Sequence, residues 1–355
     1  MDPDIKIFDR MYNFYKWHGM APLYPNEANS FQGKLYNVFV ISFIILLGVV
    51  NGYNDARRFQ LSVGELTAVI QDVIAFGSMQ IHFLKVLICR KKWKAFFKGL
   101  EYLTCNVRHQ SNKKLYLIGI QVFTFFLPLL NFLCSLYITP FDVIPLLFQR
   151  VPIYIVDKFY FPYAVSQIVT TLYIISQRYD EMTTHISRIS LDDPAAALQK
   201  LFHFRKLIVR GYVIVKIFNY LLGWPMLLSV FASTVKMTGY VSHIKITSSF
   251  HKSIVEFAIF SFFSMSSYVS NIILLIAFCD KLEKSGQRFI HKCNELQTTL
   301  PDSALRDELI FLSEIAKYMA PKWSAAGFFT VNSGFFASYF SGIITYTVIT
   351  IQFAY

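Results

Sequence analysis

Apolar residues in this chain fall in unbroken runs of about twenty, and short basic stretches separate one run from the next. A helix rising 1.5 Å per residue needs roughly 20 mostly apolar residues to cross the hydrocarbon core of a bilayer. Seven segments meet that length: residues 35–53, 66–89, 115–138, 159–177, 212–236, 254–279 and 328–353. Composition points the same way. The chain is 54% hydrophobic and only 16% charged, with 36 Phe among its 355 residues, whereas a soluble domain carries about 25% charge. A soluble core would also place its apolar residues in periodic stripes with polar positions between them. The pattern predicts an all-α, polytopic membrane protein of seven transmembrane helices.

The spans differ in character. The second is the most polar and carries Gln71, Asp72, His82 and Lys85. Pro128 predicts a kink in the third, Pro162 sits in the first turn of the fourth where proline is tolerated, and Pro225 lies inside the fifth. Residues 1–34 mix charges with scattered aromatics and lack the compact apolar core of a secretory signal, so the first span is expected to target and anchor the chain. Lys85, near one end of its span, is expected to snorkel towards the interface.

Orientation follows from the cationic residues of the connections. Of the 34 Lys and Arg, four precede the first span, and eight, six and seven fall in the second-to-third, fourth-to-fifth and sixth-to-seventh connections. Only Arg57, Arg58, Arg150, Lys158, Lys245 and Lys252 fall on the other side. The imbalance predicts a cytoplasmic N-terminus and, after seven crossings, an extracellular C-terminus. Four of the five cysteines lie in or beside segments placed in the cytoplasm, so no disulfide framework is expected. No Asn-x-Ser/Thr acceptor occurs.

Residues 180–210 and 281–322 read as more than loops. Leu282, Phe289, Leu296 and Leu300 recur at helical spacing, which predicts extensions of the fourth, fifth and sixth helices into the cytoplasm. Asp302-Ser303 before a periodic run is a helix-start signal for a further short helix over 303–317. The organisation expected is therefore a cytoplasmic segment over 1–34, six spans with helical extensions over 35–279, cytoplasmic anchor helices over 280–327 and a last helix over 328–355.

That last helix has a distinctive surface. Gly334, Ser338 and Gly342 share one face at a spacing that permits close helix approach. Ser338, Ser341, Thr345, Ile349 and Gln352 follow one another at three or four residues and form a weakly polar stripe. Such a stripe suits helix–helix packing, and it equally suits the lining of a narrow conduit gated by an apolar ring. A conduit would require several copies around an axis.

Thr345-Tyr346, five further residues, then Gln352-Phe353 resembles the signature that closes insect gustatory receptors, and residues 326–332 resemble that family's entry into the last helix. The resemblance implies a homo- or heterotetrameric, ligand-gated, non-selective cation channel in the plasma membrane of sensory neurons. It implies that the last helix lines a central pore and that cytoplasmic helices hold the subunits together. It places Gln352 and Phe353 at or beside the gate; the spacing makes Ile349 a second constriction candidate. Members tuned to sugars carry an acid directly after the Thr-Tyr pair, where this chain has Thr347, so bitter or other non-sugar tastants are implied. An odorant-type channel of the same superfamily is the alternative.

The resemblance further implies a small-molecule cavity among the outer halves of the first six spans. Polar and aromatic residues expected at that depth are Gln71, Asp72, Asn131, Tyr137, Tyr160, Tyr163, Gln167, Trp224 and Glu256, joined by Thr234 and Ser261. Asp72 is a carboxylate well inside a span, and a charge there marks either a ligand contact or a structural ion pair, for example with Lys236.

Other classes fit poorly. The +12 net charge is distributed as topology determinants between apolar runs, not as a nucleic-acid-binding face. Arg178-Tyr179-Asp180 has the reverse order of the G-protein-coupled receptor triplet and follows the fourth span. No zinc-ligand, dinucleotide or phosphate-loop motif is present, so neither an enzyme nor a cofactor is expected. A transporter would show interrupted spans in matching halves, and none is evident.

Overall fold

The computed structural model describes residues 63–106, 160–189, 193–247 and 254–353 continuously, with isolated helical positions between 13 and 42 and between 119 and 133. Of the first and third expected spans only these isolated positions are described, and Asn131 and Tyr137 are not among them. Among those described, the elements are α1 (Val63–Ile88), α2 (Arg90–Asn106), α3 (Phe161–Ile186), α4 (Pro194–Thr247), α5 (Ile254–Thr299), α6 (Ala304–Tyr318), the strands β1 (Ser324–Ala325) and β2 (Phe329–Thr330), and α7 (Ser333–Phe353).

Helices 4 and 5 are single rods that run through both an apolar and a charged stretch. At 54 residues, α4 is about 80 Å long, far more than a bilayer core needs. In the apolar half, α3 packs most extensively on α5, and α4 on α1. In the charged half, α2 and α6 pack against the extensions of α4 and α5. Leu282 and Phe289 are fully buried there, and Leu296 and Leu300 pack against the same core. Ser303 caps α6, accepting from the Arg306 backbone N–H.

The helix α2 was not foreseen. Its eight-cation connection reads as a topology signal, yet Trp93, Phe96, Leu100 and Leu103 recur at helical spacing and are buried on one face. Phe96 stacks on Phe218 of α4 at 5.0 Å, and Phe218 lies 4.8 Å from Trp323. A line of rings thus runs from α2 through α4 to the segment preceding α7.

That segment corrects the expected start of the last span. It is a two-stranded antiparallel hairpin, Ser324 opposite Thr330 and Ala325 opposite Phe329, with Ala326 (φ 54°) and Gly327 (φ 85°) in left-handed conformation at its turn. Helix 7 begins only at Ser333. The hairpin docks on α4: Asn219 Nδ2 donates to the Lys322 carbonyl at 3.0 Å, and a β-carbon at Gly223 would stand 2.8 Å from the Ala326 nitrogen. Only glycine leaves room for that approach.

Polar contacts tie the rods together. Arg178, almost wholly buried, pairs with Glu181 at 2.8 Å, while Asp180 pairs with Arg288 of α5 at 2.8 Å. The Arg-Tyr-Asp triplet is thus a structural joint between α3 and α5. Lys85 corrects a second expectation. Its amine donates to the exposed Tyr220 carbonyl of α4 at 2.6 Å, a protein partner that the sequence reading did not include.

Candidate functional site

Helix 7 is held on one side only. Tyr339 and Ile343 are buried, and Phe335 and Phe340 pack against the core beside them. Spacings of four and eight put 335, 339 and 343 on one face, and that face lies on α4, with a smaller contact to α5. The Tyr339 hydroxyl is 2.8 Å from Ser233 Oγ. Ser233 gives its own proton to the Val230 carbonyl at 2.7 Å, so the phenol donates to it. Phe335 also stacks on Phe329 of the hairpin at 4.5 Å and 9°.

The opposite face is bare. Ser338, Ser341, Thr345, Tyr346, Ile349 and Gln352 are all exposed, as are Gly334 and Ile344; Gly342 is half-buried. The stripe read from the sequence therefore points away from the rest of the described chain. The Phe353 side chain lies outside the described residues. Thr345 Oγ1 donates to the Ser341 carbonyl at 2.9 Å, within its own helix.

The lower end of α7 is fixed by two side chains. Asn332 Oδ1 accepts from the Phe335 N–H at 3.3 Å, an N-cap contact. Asp280 of α5 accepts hydrogen bonds from Lys284 and from Ser333, the first residue of α7. The Lys284 bond does most to hold the Asp280 carboxyl below its usual range, Ser333 adding to it and partial burial opposing it. A carboxylate at a helix N-terminus also meets the positive end of its dipole.

A second polar cluster lies inside the bundle. Tyr160 and Tyr163 are buried at the start of α3, with Gln167 one turn on. The Tyr160 hydroxyl donates to the Ser78 carbonyl of α1 at 3.4 Å, and its ring meets His82 edge-on at 6.0 Å. Ser78 Oγ donates to the Pro225 carbonyl of α4 and lies 2.9 Å from Ser229 Oγ. Phe161 stacks on Tyr268 of α5 at 5.9 Å. The side-chain oxygens of Ser166, Gln167, Thr170 and Asn271 are buried without a protein partner among the described residues. Buried polar atoms are normally satisfied.

Three of the expected ligand residues, Tyr160, Tyr163 and Gln167, are thus brought together on α3. Trp224 is not with them. It lies edge-on to Phe328 of the hairpin at 5.8 Å and is half-exposed, because it is turned about 100° around α4 from Pro225. The side chains of Gln71, Asp72, Glu256, Ser261 and Lys236 lie outside the described residues. Thr234 bonds back to the Val230 carbonyl at 2.9 Å. Ser78, His82 and Ser229 complete the cluster and are not among the ligand residues expected from the sequence. Their one sequence signal was polarity inside an apolar run.

A 7tm chemosensory receptor model matches residues 8–355. The chain belongs to the 7tm chemosensory receptor family. The receptor is therefore a membrane protein, and its family is not one of enzymes. Its fold is similar to the insect olfactory receptor OR5 from Machilis hrabei, with a TM-score of 0.67 and 15% identity, covering 99% of this chain and 100% of that one. The same receptor in complex with eugenol matches with a TM-score of 0.58 and 14% identity, covering 99% of this chain and 100% of that chain. A search of curated proteins gave no match.

Proposed function

We propose that the receptor is a subunit of a tastant-gated, non-selective cation channel, working as a homo- or heterotetramer in the plasma membrane of sensory neurons. Its N-terminus is cytoplasmic and its C-terminus extracellular, following the cationic imbalance of the connections. The observation that carries this reading is the one-sided packing of α7. A helix that buries Tyr339 and Ile343 and leaves Ser338, Ser341, Thr345, Ile349 and Gln352 bare has a face reserved for something beyond its own chain. Four such faces around an axis make a hydroxyl- and amide-lined conduit, with Ile349, Gln352 and Phe353 at its narrow outer end.

The ligand enters the bundle and meets Tyr160, Tyr163 and Gln167, with Asp72 and Gln71 of α1 and Glu256 of α5 as further contacts. Ligand occupancy moves α4, and Tyr339–Ser233 passes that movement to α7. Thr347 in place of an acid favours bitter or other non-sugar tastants over sugars. A volatile ligand is the second reading, supported by the likeness to an olfactory receptor solved with eugenol.

Whole-cell recording in a heterologous cell, with a tastant panel first screened by calcium imaging, tests the proposal. A cysteine replacing Ile349 should allow a charged thiol reagent to block agonist-evoked current, and Gln352→Ala or Phe353→Ala should change conductance or resting leak with surface expression kept. Unblocked current at Ile349→Cys together with unaltered currents in the other two variants would sink the pore assignment. Saturable substrate turnover without current would instead make the chain a carrier.

A further inference from the structure

One face of α5 changes chemistry abruptly along its length. Phe262, Ile273 and Lys284 are spaced by eleven residues, which is within about 20° of three full turns, so they lie in one line. Phe262 and Ile273 are exposed at 66% and 43%, and they belong to the apolar run that ends at Cys279. Directly beyond it, Asp280, Lys281, Lys284, Gln287, Arg288 and His291 line an open groove of about 680 Å³. The groove therefore begins where the hydrocarbon layer ends, beside Ser333 and the start of α7.

Three cations share this groove with one carboxylate. Lys281 lies 4.5 Å from the Tyr173 ring centre; Lys284 meets Asp280 at 2.6 Å and Arg288 meets Asp180 at 2.8 Å. The Lys284 and Arg288 side chains remain 65% and 58% exposed. Exposed ion pairs of this kind contribute little. A phosphate-bearing group that meets all three cations can displace them, and the arginine fork suits a phosphate's paired oxygens. The exposed apolar track above supplies what a free phosphate does not need and a phospholipid does.

We propose that this face of α5 binds an anionic phospholipid, its acyl chain along Phe262 and Ile273 and its phosphate headgroup among Lys281, Lys284 and Arg288. The site differs from both the bundle interior and the bare face of α7. Because Lys284 also bonds Asp280, a bound headgroup draws on the same cation that supports the α7 cap.

The test uses the full-length receptor in nanodiscs of phosphatidylcholine containing a phosphatidylinositol phosphate, with retained lipid read by native mass spectrometry. Lipid retention is read whether or not current flows, so its failure and the failure of the channel reading are separable. Each cation near an anionic surface contributes a factor of about five, so the triple variant Lys281→Gln, Lys284→Gln, Arg288→Gln should hold the anionic lipid roughly a hundredfold more weakly. Lys317→Gln, a cation of α6, should retain it as the wild type does. Should the triple variant elute as aggregate, Arg288→Gln alone must still lower retention about fivefold. Equal retention by these variants and the wild type overturns the site. A soluble inositol phosphate competing equally well for wild type and for Ile273→Ser, with no preference for the lipid form, reduces it to a phosphate site and overturns the lipid assignment.

Discussion

The phenol of Tyr339 stands 2.8 Å from Ser233 Oγ and joins the last helix to the longest one at a buried position. Tyr339→Phe keeps the ring packing on Phe335 and Phe340 and removes this bond together with the weaker hydroxyl contact to Met237 Sδ at 3.7 Å. A neutral buried hydrogen bond contributes about 1 kcal/mol, so the midpoint of thermal unfolding in detergent should fall by that equivalent. Ser233→Ala should cost a similar amount. The double variant should cost less than the two together, because each removes the same contact. Strict additivity would show that the two groups do not interact.

The hairpin gives a pair of substitutions with opposite signs. Gly223→Ala drives a β-carbon against the Ala326 backbone, 2.8 Å away, and overpacking of this kind costs about 1–3 kcal/mol. Ala326 itself holds a φ of 54°, a conformation that costs a non-glycine residue about 1 kcal/mol. Ala326→Gly should therefore stabilise the receptor slightly. Thermal melts of both variants beside the wild type check the signs.

Asp280 sets a pH window. Its carboxyl is held low in the folded chain, first by the hydrogen bond from Lys284 and then by Ser333. A carboxyl with a depressed folded value adds stability above its unfolded value and loses it as pH falls through the folded one. The stability gap between wild type and Asp280→Asn should hold steady from about pH 5 to pH 8 and shrink below about pH 4. A gap that widens on acidification would contradict the cap.

Thiol reactivity should follow burial. Cys293 is fully buried in the charged half of the bundle, and burial pushes its thiol up to about 12. A thiol that stays protonated reacts slowly. In a Cys105→Ser, Cys134→Ser background, maleimide should label half-buried Cys89 first and Cys293 only after denaturation. Peptide mass mapping over time reads the order.

Length and periodicity carried most of the architecture. The run over 254–279 and the recurrence of Leu282, Phe289, Leu296 and Leu300 foretell one rod, and α5 is one rod. Ser303 announced α6 because a capping hydroxyl before a periodic run has a local cause. The α2 helix was obscured by its own charge, as Trp93, Phe96, Leu100 and Leu103 share the helix with Arg90, Lys91, Lys92, Lys94 and Lys98. The hairpin was illegible for another reason. Ala326 to Thr330 reads as apolar, and nothing local distinguishes an apolar strand pair from the first turn of a span.

Within the interior site, depth was readable and azimuth was not. Tyr160, Tyr163 and Gln167 fall within about two turns at the start of α3, so placing one places the others. Trp224 stands apart from them, edge-on to Phe328, about a hundred residues later in the chain. Ser78 and Ser229 become a pair only once Pro225 brings α1 and α4 into register.

The Thr345 hydroxyl, bonded back to the Ser341 carbonyl, bears on how the proposed channel would be assembled. A newly inserted subunit meets lipid on the face that later meets water, and an unbonded hydroxyl there would penalise every moment before assembly. With its proton already placed inside the helix, Thr345 is quiet in hydrocarbon and still presents oxygen lone pairs to a solvent. In the proposed assembly, a solitary subunit would therefore carry no unbonded Thr345 proton while it faces lipid.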